Sequence, residues 1–266
     1  MVNGLKPRSL PQALELRRST PRAVPCAGGT HLMRRGEPGR LCLYLDGCEE
    51  FTRIDTDGRQ VHIGAMLTLA SLQRQPLVPP VLREAAGVLP ASLRSLATIG
   101  GELIAGNLPL LCALYAVGGE LKLASVPGRR TMTPDCFFRN GRGLNLGAAE
   151  LLCEILVPDQ SMNCVFRRAR GDSESEDVFF AGRFELQEGR VGAFSAVFAA
   201  ENGGLMRFPD FERELIGKDP AELSALQTEL LSAYEQRLFP GSTPVKRWQR
   251  QVALHMLEVF LFGTGA

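Results

Sequence analysis

Two stretches of this chain set paired glycines beside hydroxyl and polar side chains, Ala27-Gly28-Gly29-Thr30-His31-Leu32 and Leu96-Ala97-Thr98-Ile99-Gly100-Gly101-Glu102. Paired glycines leave bare backbone N–H groups where a bulky side chain would stand. They permit positive φ and let a ligand approach closely, so that successive N–H groups can face one anion, with Thr30 adding a hydroxyl donor. Gly-Gly between two apolar runs is also the composition of a plain tight turn, and it is the recurrence of the pattern that singles these stretches out. Neither is a Walker phosphate loop, since no Lys-Ser or Lys-Thr follows, and neither is G-x-G-x-x-G. A phosphate gripped here is gripped outside the common nucleotide folds.

Other reactive side chains form no comparable constellation. The seven cysteines, Cys26, Cys42, Cys48, Cys112, Cys136, Cys153 and Cys164, are dispersed without a C-x-x-C pair. They read as reduced thiols, with no disulfide, iron–sulfur or zinc site assigned, and no metal is expected. His62 alternates with Val61 and Ile63 and reads as a solvent-side strand residue. Trp248 and His255, on a helical stretch, read as packing residues. The run Gly171-Asp172-Ser173-Glu174-Ser175-Glu176-Asp177 reads as a solvated acidic loop.

Thirty Lys and Arg against 29 Asp and Glu give a net charge of +1, which provides no field for nucleic acid or an anionic membrane. With 45% hydrophobic and 22% charged residues over 266 positions, the composition is that of a folded protein large enough for two domains. The first residues carry no apolar core of a secretory signal and no run approaches a membrane span, so a cytoplasmic protein is expected.

The elements that must position the glycine stretches follow from periodicity. Ser9 to Arg18 predicts a helix capped by Ser9 with Pro11 in its first turn. Ala23 to Ala27 and Leu41 to Leu45 predict buried strands, and Phe51 to Asp55 and Arg59 to Ile63 two strands joined by Thr56-Asp57-Gly58. A helix entered through Thr68 with Leu69 and Leu72 facing inward, helical segments at Val81 to Ala86 and Leu89 to Leu96, and a buried helix at Leu110 to Val117 follow. Glu120 to Ser125 predicts a strand before a turn at Pro127 to Arg130. Asp135-Cys136-Phe137-Phe138 docks an aromatic pair, and Leu151 to Pro158 closes the first domain as a strand. Phe179 to Leu186 and Val191 to Val197 predict a hairpin, and Pro220 to Leu238 one helix before the breaker Pro240-Gly241. Val245 to Phe262 predicts the last helix, with Trp248, Val252, Met256, Val259 and Phe260 along one side.

The order of these parts resembles the flavin-binding medium subunits of molybdenum hydroxylases, the xanthine dehydrogenase and carbon monoxide dehydrogenase family, within the wider FAD-binding PCMH-type (vanillyl-alcohol-oxidase-like) fold. The resemblance rests on Ala27-Gly28-Gly29-Thr30-His31-Leu32, Ile63-Gly64-Ala65, Ala97-Thr98-Ile99-Gly100-Gly101, Asp135-Cys136-Phe137-Phe138 and Glu154-Ile155-Leu156-Val157-Pro158. It implies an α+β fold: an FAD-binding domain over residues 1–158, with subdomains at about 1–57 and 58–158, and a smaller C-terminal domain over 159–266 with a sheet packed on helices on one side. It also implies FAD as cofactor, with Cys26, Ala27, Gly28, Gly29, Thr30, His31 and Leu32 meeting the diphosphate from one side. Thr98, Ile99, Gly100, Gly101 and Glu102 approach from the other, and Leu152 and Arg167 lie against the flavin ring. No residue is assigned as a catalytic acid or base.

The chain departs from the family where an acidic residue commonly stands at His31, Asn at Glu102 and Lys at Arg167. The stretch Ile104 to Pro109 is also shorter than usual and lacks an Asp. Gly-Gly-Glu resembles a subgroup of short bacterial flavin subunits. The leading expectation is an electron-transfer subunit working between a partner iron–sulfur subunit and NAD, in a complex whose molybdopterin-binding subunit does the hydroxylation. A structural subunit with weakened FAD binding is the alternative, and a free-standing flavin oxidase ranks last.

Overall fold

The computed structural model describes residues 4–35, 40–139, 143–159, 163–173, 176–240 and 245–263. Of the positions read from sequence, Glu174, Ser175 and Gly241 lie outside the described residues. The chain divides into two compact units, Met1–Leu110 with Gly118–Gln160, and Leu111–Val117 with Ser161–Ala266.

The first unit starts as strand–helix–strand. β1 (Gly4–Leu5), α1 (Leu10–Ser19), β2 (Val24–Cys26), α2 (Thr30–Arg35) and β3 (Cys42–Tyr44) give a three-stranded parallel sheet in the order β1-β3-β2. The Ser9 side chain accepts from the amide of Gln12, so α1 starts where its cap and Pro11 require. Leu10, Ala13 and Leu14 then face the core with Leu43 and Phe51.

Further on come β4 (Ile54–Thr56), β5 (Gln60–Gly64), α3 (Leu69–Arg74), α4 (Pro80–Ala86), α5 (Ala91–Arg94), α6 (Ile99–Ile104) and α7 (Leu108–Val117), then β6 (Glu120–Ser125), β7 (Gly128–Met132), α8 (Pro134–Phe138) and β8 (Leu151–Pro158). The strands form a five-stranded antiparallel sheet, β4-β5-β8-β6-β7. The rings of Phe137 and Phe138 meet edge to face at 4.9 Å, with Phe137 fully buried.

Several boundaries differ from the sequence reading. The expected helix over Leu89 to Leu96 contracts to α5 because Pro90 starts it late and it ends at Ser95. The turn expected at Pro127 to Arg130 is tighter, since Gly128 already pairs with Ser125. Phe51 ends a 3-10 turn, and the strand expected from it begins only at Ile54.

The second unit holds β9 (Cys164–Ala169), β10 (Val178–Gln187), β11 (Arg190–Ala200), β12 (Gly204–Arg207), α9 (Pro209–Leu215), α10 (Pro220–Ala225), α11 (Gln227–Arg237) and α12 (Arg247–Phe262). Its sheet is antiparallel in the order β12-β11-β10-β9. Val178, Phe180, Phe194, Ala196, Phe198 and Ala200 pack with Leu215, Tyr234, Ala253 and Leu257 of the helices. The alternate residues Phe179, Ala181, Val197 and Ala199 are buried too, so the second face of the sheet is also covered. Residues 111–117 belong to this unit: Cys112 Sγ donates to the Val197 carbonyl at 3.2 Å, and Ser195 Oγ to that of Ala116 at 2.8 Å. Continuous apolar strands of this kind mark a sheet covered on both faces.

The helix expected from Pro220 to Leu238 is two, meeting at Leu226, and α10 carries its own capping box of Asp219 and Glu222. In α12 the deepest positions are Gln249, Ala253 and Leu257, while Val259 is 51% exposed. The apolar side is therefore turned by about one residue from the expected one. Trp248 packs partly against the core, but the side chain of His255 is exposed and is not a packing residue. The acidic run is not solvated throughout, because Asp177 is buried and accepts from Arg168 Nε at 2.8 Å.

His62 is half-buried rather than free on a solvent face. Its Nδ1 lies 3.0 Å from Glu154 Oε2, which Lys122 Nζ also reaches at 2.8 Å across β5, β8 and β6. Burial pushes the Glu154 carboxyl up, but hydrogen bonds from Lys122 and His62 outweigh it and hold the group below the ordinary glutamate range. A carboxyl held down in the folded state adds stability above its unfolded value, near ~4.3, and gives it up as pH falls through the folded value. Replacing Glu154→Gln is expected to lower stability by roughly 1 kcal/mol near neutral pH. In thermal unfolding followed by circular dichroism, that gap to the wild type should close as the pH is lowered into the acid range.

Candidate functional site

Both glycine stretches open a helix instead of a free loop. After β2, whose Cys26 carbonyl accepts from the amide of Leu45 at 3.2 Å, the chain turns through Ala27, Gly28 and Gly29 into α2. Gly29 sits at φ +70°, a left-handed conformation that a side chain would strain. Gly28 is required for another reason. A Cβ there would stand 1.7 Å from the carbonyl oxygen of Leu96, so the first glycine stretch is pressed against the backbone leading to the second.

That second stretch is anchored from behind. Leu69 N donates to the Ala97 carbonyl at 2.9 Å, Ile99 N to that of Leu67 at 3.0 Å and Gly100 N to that of Ala65 at 2.9 Å, so residues 65–69 and 97–100 run as an antiparallel tie. The hydroxyls of Thr68 and Thr98 cap α3 and α6, accepting from the amides of Ser71 and Gly101, each at 3.2 Å.

The amides of the two stretches differ. Those of Ile99, Gly100 and Gly101 are all taken by acceptors within the protein. For Gly28, Gly29, Thr30, His31 and Leu32, no acceptor is found among the described residues. Five consecutive unpaired N–H groups at a turn into a helix make a concavity suited to an anion.

This concavity lies at one part of a cleft of about 460 Å³ formed by the first unit, within the ~300–1,000 Å³ usual for small-molecule sites. Of the residues expected at the site, Ala27, Gly28, Gly29, Thr30, His31, Leu32, Thr98, Gly100, Gly101 and Leu152 line it. Cys26, Ile99 and Glu102 do not, being buried behind it. Burial pushes the Cys26 thiol up, as does the neighbouring Cys42, which leaves it a packing group. Arg167 stands on β9 of the second unit, where its Nη1 donates to the Phe166 carbonyl at 2.9 Å.

Sequence reasoning missed several lining residues. Val24, Pro25, Leu45, Met66, Leu144, Leu146 and Leu151 give the cleft an apolar wall, suited to a flat ring system. Arg17 also lines it, fixed by Nη1 donating to the carbonyls of Ala23 at 2.7 Å and Pro21 at 3.2 Å. Glu150 lines it as an anion: a two-pronged bond from Arg130, at 2.6 and 2.7 Å, holds its carboxyl below the usual range. Arg17 looked like one polar position of an amphipathic helix, and no local pattern marked it.

Comparison with known proteins agrees with this geometry. Residues 1–160 match the model of the FAD binding domain in molybdopterin dehydrogenase. The chain is 28% identical to the nicotine 6-hydroxylase medium subunit of Paenarthrobacter nicotinovorans, over 87% of this chain and 84% of that protein. It is 27% identical to caffeine dehydrogenase subunit beta of a Pseudomonas species, over 91% and 89%. Among solved structures, quinoline 2-oxidoreductase from Pseudomonas putida 86 shares the fold with a TM-score of 0.80 at 19% identity, over 98% of this chain and 95% of that one.

The two adjacent glycines should respond differently to one methyl group. Gly28→Ala forces the Leu96 backbone away and is expected to cost about 1–3 kcal/mol or more. Gly29→Ala has open space, with its nearest neighbours Cys26 Sγ at 3.9 Å and Met33 Sδ at 4.0 Å, and should cost only the strain of its left-handed backbone, about 1–2 kcal/mol. Denaturant unfolding of the ligand-free chain measures both.

Proposed function

Because this chain belongs to the family of FAD binding domains in molybdopterin dehydrogenases, we propose that it is the flavin subunit of a molybdenum hydroxylase complex, an oxidoreductase in which it relays electrons between a partner iron–sulfur subunit and NAD. The observation that carries this reading is the row of unpaired amides from Gly28 to Leu32 beside an apolar-walled cleft. A diphosphate needs donors and an isoalloxazine needs a flat apolar bed, and the cleft supplies both.

FAD, when bound, supplies the redox chemistry, and the chain's part is to hold it, orient it and shield it from water. Gly28 to Leu32 would hold the diphosphate, and Leu152 and the leucines beside it would bed the ring. Residues 1–158 would form the FAD-binding domain, in subdomains at about 1–57 and 58–158, and 159–266 the smaller C-terminal domain. Two relatives bear the names of a medium subunit and a subunit beta, which supports a multi-subunit complex; its partners would be an iron–sulfur and a molybdopterin-binding subunit, and its place the cytoplasm. No helix among the described residues is long and apolar enough to cross a membrane.

A second reading, a structural subunit with weakened FAD binding, has its own support. The amides of Ile99, Gly100 and Gly101 are already committed, so these three residues offer a ligand no backbone donor.

The deciding experiment is the absorption spectrum and released-flavin content of the purified chain, alone and with added FAD. One FAD per chain, lost when Gly29 is replaced by a bulky residue and reducible by NADH, is the expected result. No FAD at any concentration sinks the relay reading for the isolated chain and leaves the structural one.

A further inference from the structure

One side-chain contact joins the two helices that the glycine stretches open. His31 is on α2 and Glu102 on α6, yet His31 Nε2 lies 3.0 Å from Glu102 Oε1. Thr30 Oγ1 is 3.4 Å from the same oxygen, and Asn107 Nδ2 donates to Oε2 at 3.0 Å. Asn107 Oδ1 in turn accepts from the amide of Leu110, at the start of α7. Glu102 is 3% exposed and outside the cleft, whereas 39% of the His31 side chain is exposed and lines it. Among the described residues, His31 is the only basic side chain within ion-pair reach of Glu102.

A carboxylate buried just behind a row of amides that awaits an anion works against that anion unless a positive group stands between them. His31 is that group, and its own amide belongs to the row. We propose that the His31 ring is a direct contact to the diphosphate and that Glu102 is the positioning residue that presents it. Glu102, as an acceptor, fixes the proton on Nε2. A phosphate oxygen can only accept, so the proposed contact requires N–H on both ring nitrogens, Nε2–H toward Glu102 and Nδ1–H toward the phosphate. The inference rests on the FAD reading and adds a side-chain contact to the backbone ones.

The test is titration of the full purified chain with FAD, ADP and riboflavin, the last lacking a diphosphate. It compares wild type, His31→Asn, Glu102→Gln, the double variant of these two, and the swap His31→Asp with Glu102→Asn. Each of the two single substitutions should weaken FAD and ADP roughly tenfold and leave riboflavin within about twofold. The double variant should be no weaker than the weaker single one, because Glu102 acts through His31, and the swap should bind FAD more tightly than His31→Asp alone. Equal losses for riboflavin, multiplying losses in the double variant, or unchanged FAD affinity in His31→Asn would each overturn the proposal. If Glu102→Gln fails to fold, the half-exposed His31→Asn decides on the same ligand comparison. A wild-type chain that binds neither FAD nor ADP removes the FAD reading and this inference with it, whereas tight wild-type binding with unaffected variants removes the inference alone.

Discussion

The approach of Gly28 to the Leu96 carbonyl is the constraint on which the cleft depends. No residue with a Cβ fits there, so the turn after β2 can press directly on the backbone that leads into α6. Stretches some seventy residues apart in sequence are thereby brought to one place. Every further contact across the junction, including that of His31 with Glu102, presupposes this approach. The tie between residues 65–69 and 97–100 fixes the far side, because three backbone bonds hold Thr98 and its capped helix in register with Thr68 and its own.

That tie also divides the labour between the two glycine pairs. Gly100 and Gly101 look like a second set of donors, but their amides satisfy the protein's own acceptors. A Cβ on Gly100 would lie 2.7 Å from Ala65 Cβ, so this glycine is needed for packing. The first pair is left with its donors unspent. Unpaired amides are costly wherever water is excluded, and a row of five at the surface of a cleft is economical only where a ligand or solvent completes it.

The second unit follows a different logic. Its sheet is apolar on both faces, with α9 to α12 against one and residues 111–117 against the other. The Phe180, Phe198, Phe208, Phe211 and Tyr234 rings form a contiguous aromatic cluster, with centroid separations between 5.2 and 5.9 Å. Burial in it pushes the Tyr234 hydroxyl far above its usual range, as does the nearby Glu212 carboxylate.

Local sequence determined what local physics can enforce. The Ser9 and Thr68 caps, the strand-to-glycine transition at Cys26 and the buried strand at Leu151 to Pro158 were legible because capping, positive φ and apolar patterning act over a few residues. The glycine motifs line the cleft and, through the likeness of their order, pointed to FAD. Tertiary structure decided the rest. Which amides stay unpaired depends on carbonyls about thirty residues away, and Glu102 finds its partners His31 on α2 and Asn107 only in the folded chain. The inward face of α12 turns on Gln249, a polar residue buried because its amide donates to the Glu176 carbonyl at 2.8 Å. Periodicity ranks side chains by their affinity for water. It carries no record of which polar group will find a partner, because that partner is supplied by the fold.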